Sequence, residues 1–343
     1  MIRRSGAVPR GRQVIRRLCA GTALLLLVLV AGCATPVSRS TVVGRSDDFL
    51  LVRPGASDTY ESLAQDFLSN ANLAPVLADA NASETLNPAR VVVVPLRPLS
   101  PSGVNADGYQ AVPILAYHQF TRKKPANLME VSDTSFQQQM DYLQSAGYRV
   151  ITLGELAGFL RMERPIPQRA VVITIDDGYR SVYDVAYPIL KAHGFRATLY
   201  VYTDFVGARL GLTWDQIKEM DASGVIDVQS HSKSHGSMSR SPNDISPNAY
   251  ATRVAREITV PEGLLRDRLG KTIDQFAYPY GDSSTVVVSA LNQRHYGTAV
   301  TVWRGANPSF TNPMMLRRDM VYSDYSLDAF KKLLKVYQPA DLR

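Results

Sequence analysis

Ala170-Val-Val-Ile-Thr-Ile-Asp176-Asp177-Gly178 is the stretch on which the fold of this chain turns. The apolar, β-branched run reads as a strand, and it stops on two adjacent carboxylates followed by glycine. Two carboxylates side by side repel each other, and a cation between or beside them relieves that cost. Asp-Asp-Gly is also sound turn chemistry, so taken alone the pair is explained equally well by a turn.

Working outward, β-rich runs at 112–117, 197–202, 225–229, 275–278 and 298–302 alternate with helical patterns at 135–146, 182–192, 214–222, 250–269, 284–294 and 327–337. Gly147, Gly194, Gly224, Gly270 and Gly297 stand where helix C-caps belong. The alternation predicts an α/β domain of βα units around a parallel sheet, and its length favours closure into a barrel. In such folds chemistry gathers at the C-terminal ends of strands. The other polar clusters fall there as well.

His231-Ser-Lys-Ser-His235 follows the run at 225–229. Histidines at i and i+4 can converge on one ion, although an isolated pair with this spacing is commonly solvated or structural. The chain has 5 histidines, and two of them share this spacing at a strand end. One aspartate plus two histidines makes three protein ligands, the number expected at a catalytic divalent site with a position open to water. Phe276-Ala-Tyr-Pro-Tyr280-Gly281 and Ile114-Leu-Ala-Tyr-His118 end two further strands. Alone, the first reads as a packed aromatic corner and the second as a satisfied structural histidine. Trp214 and Trp303 read as core or groove walls, and His193 and His295 as residues at helix C-termini.

The 343 residues carry a formal charge of +7, which at first suggests nucleic acid. The first 32 residues hold six arginines and no acid; without them 32 basic residues face 31 acidic ones. A near-neutral body gives no electrostatic case for binding nucleic acid. The arginines precede the apolar run 24–30 and then Ala31-Gly32-Cys33, the plan of an export signal. That run is too short for a stable span of a hydrocarbon core ~30 Å thick. The two cysteines, Cys19 and Cys33, both lie in this region, so no disulfide and no thiol ligand is expected in the body.

Leu29-Val-Ala-Gly-Cys33 resembles the lipobox of bacterial lipoproteins. The resemblance implies a signal peptide over 1–32, lipidation of Cys33, and a membrane-anchored place in the cell envelope, at the periplasmic side of the outer membrane if the cell is Gram-negative. Residues 33–46 then read as a tether. Residues 47–96, with Val52, Gly55, Asp58-Thr59, Leu63-Ala64, Asn81 and a closing Val-Val-Pro95, resemble a LysM module, a small α+β unit that binds N-acetylglucosamine-containing glycans. The Pro-, Gly- and Ser-rich stretch 97–110 reads as a linker.

Asp-Asp-Gly, His-x-x-x-His and Tyr-Pro-Tyr-Gly, in that order at successive strand ends over 111–343, resemble the polysaccharide deacetylases of carbohydrate esterase family 4. The Tyr117-His118 opening is most similar to the branch acting on poly-N-acetylglucosamine. The resemblance implies a distorted (β/α) barrel of the NodB homology type and hydrolytic N-deacetylation of a polysaccharide: poly-N-acetylglucosamine, peptidoglycan or another exopolysaccharide. It implies a divalent metal, usually zinc, with cobalt or nickel accepted, held by Asp177, His231 and His235. Asp176 becomes the general base and the Tyr280 N–H an oxyanion donor. Two positions depart from the common pattern. Ala277 stands where an arginine usually braces the base, which makes Arg318 the candidate replacement. No late Leu-x-His is present, which makes His118 the candidate general acid. These departures leave open a catalytically inactive glycan-binding lipoprotein, and the same site chemistry would serve a polysaccharide O-acetyl esterase.

Overall fold

The computed structural model describes residues 40–81, 83, 85–96 and 102–341. The expected signal peptide, Cys33 and residues 33–39 and 97–101 of the expected tether and linker lie outside the described residues. Among the described residues no helix is long and apolar enough to cross a membrane.

The chain first builds a small antiparallel sheet from β1 (Thr41–Arg45), β2 (Phe49–Arg53) and β3 (Val92–Pro95), with β2 central. Helices α1 (Tyr60–Leu68) and α2 (Ala74–Ala80) connect β2 to β3. Thr59 starts α1 through a reciprocal capping box with Ser62. Val52, Leu63, Ala64, Leu77 and Val94 form the core of this unit. Asn81 closes it: its amide both donates to and accepts from the Val93 backbone at 2.8 Å. Thr41–Arg45 corrects the expectation of a tether over 33–46. The run Thr-Val-Val-Gly-Arg is too short to register as periodic, and its backbone is extended by pairing with β2. The unit rests on the next domain through Arg149, 3.3 Å from Asp79, and the Gln168 N–H, 3.1 Å from the same carboxylate.

The second domain is a curled parallel sheet with helices outside. In chain order its strands are β4 (Ile114–Tyr117), β5 (Ala170–Ile175), β6 (Ala197–Val201), β7 (Ile226–Ser230), β8 (Gln275–Ala277), β9 (Thr298–Val300) and β10 (Asp319–Met320). Their spatial order is β9-β8-β7-β6-β5-β4-β10. The two edges meet at one place: Leu316, three residues before β10, forms a parallel bridge to Val300 in β9. The barrel is therefore distorted, a half-barrel sheet whose seam is stitched by the segment 316–320.

Every residue of β5 is buried, and its faces divide cleanly. Val171, Ile173 and Ile175 join the outer core beneath the helices, while Ala170 and Val172 face the interior with Ile114, Tyr200 and Leu316. Leu153, Leu156 and Phe159 from helix α3 (Leu153–Leu160), an element absent from the sequence expectations, join that interior cluster.

Other boundaries are also corrected. The expected linker 97–110 ends in strands Val104–Asn105 and Gly108–Gln110, and the second pairs with Tyr337–Pro339. Gly108 is required there, since a Cβ would lie 2.4 Å from the Gln338 carbonyl oxygen. The helix expected over 327–337 accordingly stops at Lys331, because its last residues are recruited into this sheet. The pattern at 182–192 opens as a wide π turn, Val182–Ala186, before the α-helix Tyr187–His193. Pro188, lacking an N–H, cannot supply the regular bond to residue 184.

Candidate active site

The C-terminal ends of β4, β5, β7 and β8 carry His118, Asp176-Asp177, His231 to His235, and Tyr280 to one mouth of the barrel. The backbone there is costly. Among the described residues seven non-glycine positions have positive φ, and four are Asp177 (74°), Ser232 (73°), His235 (57°) and Tyr280 (59°). Such conformations cost of order 1–3 kcal/mol each and persist where surrounding structure holds them. Gly178 (φ 88°) makes the Asp-Asp turn possible, since a Cβ would stand 3.0 Å from Val201 Cγ1.

Asp176 points into the barrel and is 2% exposed. Arg318, fully buried, grips it with both arms: Nη1 and Nη2 donate to Oδ1 and Oδ2, each at 2.7 Å. Nη1 also donates to Thr174 Oγ1 at 3.1 Å, and Nε to the Thr301 carbonyl at 2.8 Å. Burial pushes the Asp176 carboxyl upward, but Arg318 and His231 outweigh it and hold it below its ordinary pKa. The seam segment thus delivers an arginine to Asp176 from the residue just before β10, not from the strand ending in Ala277.

Asp177 turns the other way, toward the histidines. Its Oδ1 lies 3.5 Å from His231 Nε2 and 3.2 Å from His235 Nε2, yet that buried oxygen has no hydrogen-bond partner. The three groups offer ligand atoms all within 4.8 Å of one another. His231 Nδ1 donates to the Ala277 carbonyl at 2.8 Å, which leaves Nε2 of the neutral ring with its lone pair facing inward. An orphaned carboxylate oxygen, oriented imidazoles and a mixed N/O donor set fit a divalent ion of the zinc type. The histidine rings overcome the burial of Asp177 and hold its carboxyl far below the usual range.

Sequence reasoning missed what supports these ligands. Glu257, 9% exposed on the helix Pro247–Leu269, lies beneath the histidine loop. Its Oε2 accepts from the Lys233 and Ser234 backbone N–H groups at 3.1 and 2.9 Å, and its Oε1 from the Ser234 hydroxyl at 2.8 Å. Ser232 Oγ accepts from the His235 N–H at 3.0 Å. A lone glutamate within an amphipathic helix gives no signal of this role.

His118 stands 4.0 Å from Asp176 Oδ2. Burial lowers its pKa more than the neighbouring aspartates raise it. Tyr280, 64% exposed at the rim, has its hydroxyl 3.2 Å from His235 Nδ1. His193 lies apart from the mouth, bonded to Asp141 and the Ile189 carbonyl.

The family description "Polysaccharide deacetylase" fits residues 163–299. A Bacillus subtilis (strain 168) protein named "Putative polysaccharide deacetylase YxkH" is 29% identical over 219 residues, 64% of this chain and 74% of the relative. The Escherichia coli (strain K12) poly-beta-1,6-N-acetyl-D-glucosamine N-deacetylase is 27% identical over 216 residues. That match covers 53% of this chain but 32% of the relative, so the chain spans about a third of its length. Among solved structures, IcaB from Ammonifex degensii matches with a TM-score of 0.59 at 28% identity, over 67% of this chain and 99% of that one.

Proposed function

We propose that this chain, which carries a polysaccharide deacetylase domain, hydrolyses N-acetyl groups on an N-acetylglucosamine-containing polysaccharide of the cell envelope or its surroundings. The observation that carries the reading is the pairing of two unlike carboxylates: Asp176 locked by Arg318, and Asp177 left with an unpartnered oxygen between two histidines. A buried, arginine-held carboxylate, which costs several kcal/mol in desolvation, supports an active site over an inactive binder.

In this reading Asp177, His231 and His235 would hold a divalent cation, zinc by preference with cobalt or nickel accepted. That ion supplies Lewis acidity for the acetyl carbonyl and for the attacking water. Asp176 accepts the water's proton, and Arg318 keeps the carboxylate ionised and aimed. The Tyr280 N–H donates to the oxyanion as it forms, an interaction of about 2.7–4 kcal/mol. His118 delivers a proton to the departing amine; it stands 4.0 Å from Asp176, so the proton taken from water reaches it through a bridging water or the substrate itself. The products are acetate and a glucosamine unit. The sequence plan around Cys33 supports export and lipid anchoring, and the small N-terminal unit, with its LysM-like pattern, would add glycan affinity.

Acetate release from β-1,6-linked N-acetylglucosamine oligomers, poly-N-acetylglucosamine and peptidoglycan tests this. Chelator should abolish release and added zinc or cobalt should restore it. A folded, metal-loaded protein that frees no acetate from any of them would overturn the reading; release only from O-acetylated glycan would make it an esterase.

A further inference from the structure

The outer wall beside the seam holds a second feature that the catalytic mouth does not use. The connection from β9 to β10 crosses without an α-helix, and an open cleft of about 580 Å³ lies against it. Trp303 (54% exposed), Phe310 (61%) and Tyr337 (40%) line this cleft with Tyr109. Two cations, Arg317 and Lys335, complete the wall; no acidic residue lines it, and neither cation has an ion pair within 4 Å among the described residues, although Asp319 lies near enough to Lys335 to attract it. Three of the rings are held in place before any ligand arrives. Phe310 packs edge-on against Tyr109 with centroids 5.1 Å apart, and the Tyr337 hydroxyl donates to Asp107 at 2.7 Å.

We propose that this cleft is a distal glycan subsite, which takes a neutral, still acetylated stretch of the same chain whose other units enter the catalytic mouth. The inference rests on the deacetylase reading and extends it to how the substrate is held. Fixed, exposed aromatic faces bury the apolar face of a pyranose at low entropic cost, and the volume lies within the ~300–1,000 Å³ of small-molecule sites. One segment links the cleft wall to the catalytic centre through the backbone. Arg317 lines the cleft, while the next residue, Arg318, faces inward to Asp176 and donates its backbone N–H to the Trp303 carbonyl at 2.8 Å. Val302 packs where a Cβ on Gly281 would stand, beside Tyr280 at the rim. The cationic wall repels glucosaminium units, so the subsite releases a stretch once it has been deacetylated.

Trp303 is one of 2 tryptophans in the full chain, so the intrinsic fluorescence of the Asp176→Asn protein reports in part on the cleft, without turnover. A β-1,6-linked N-acetylglucosamine hexamer should quench it saturably, and the fully de-N-acetylated hexamer should bind at least about tenfold more weakly. Phe310→Ala should weaken hexamer binding and raise the ratio of hexamer KM to dimer KM, each about fivefold. Arg317→Gln with Lys335→Gln, surface changes with little bearing on folding, should remove most of the discrimination against the de-N-acetylated hexamer. The inference fails if Phe310→Ala shifts hexamer and dimer KM equally, or if the double variant discriminates as strongly as the parent. Saturable quenching alongside an unsubstituted protein that frees no acetate would instead sink the deacetylase reading and leave the cleft as a glycan site.

Discussion

The two ends of the barrel use the same kinds of side chain to opposite purposes. At the floor, where strands begin, Lys271 reaches both Asp221 and Asp227, and Asp227 also accepts from Gln229 and Gln275. Asp221 takes the Val228 N–H as well, at 3.0 Å. These charges pair with one another, and the one orphaned atom among them, Gln275 Oε1, belongs to a neutral amide. At the mouth the network is left open: Asp177 keeps a buried oxygen without a partner and two histidines face it. The backbone that carries them bends through left-handed positions. Charge placed for stability is paired off, whereas charge placed for chemistry is held by its neighbours but not consumed by them.

The comparison is broken most directly at Asp176. Asp176→Asn should lower acetate release by about 10²–10⁴-fold while zinc affinity, measured by chelator competition, stays nearly constant. Parallel loss of both would show that the two aspartates have been given each other's roles. Arg318→Met leaves a buried carboxylate unpaired and should cost about 3–5 kcal/mol in urea unfolding, a penalty that no floor residue matches. Glu257→Ala should weaken zinc binding by about 10–100-fold, since it removes the group that orders the histidine loop, and Glu257→Gln should recover part of this. An unchanged zinc affinity would reduce Glu257 to a helix contact. The smallest effect belongs to the floor. Lys271→Met should lower stability by only about 1–2 kcal/mol, because the cluster is partly solvated, and should not change kcat. A large fall in kcat there would mean that the two ends are not separate.

Much of the mouth was legible because its groups are short-range in sequence: Asp176 with Asp177, His231 with His235, each directly after an apolar run. The parallel sheet was legible for the same reason, since its strands alternate with helices of recognisable period. The seam was not. A strand of two residues, Asp319–Met320, is below the length at which alternation registers, and Leu316 makes a single bridge. Arg318 could be nominated through a family resemblance, but its bidentate grip on Asp176 joins residues 142 positions apart. The strands at 41–45 and 108–110 were read as tether and linker because they are short runs within polar, Pro-, Gly- and Ser-rich stretches; their pairing partners decide otherwise.

The sequence by itself determined which residue types stand at the strand ends, the α/β class and the spacing of the candidate Asp-His-His set, because hydrophobic period and local spacing are properties of neighbours along the chain. Tertiary structure alone decided that the sheet curls until its edges touch at Leu316. It also brought Arg318 beneath Asp176 and Glu257 beneath the histidines, and gathered aromatic residues from positions 109, 303, 310 and 337 into one cleft. Those contacts are settled by packing between segments far apart in the chain, where local pattern carries no information about which partner arrives.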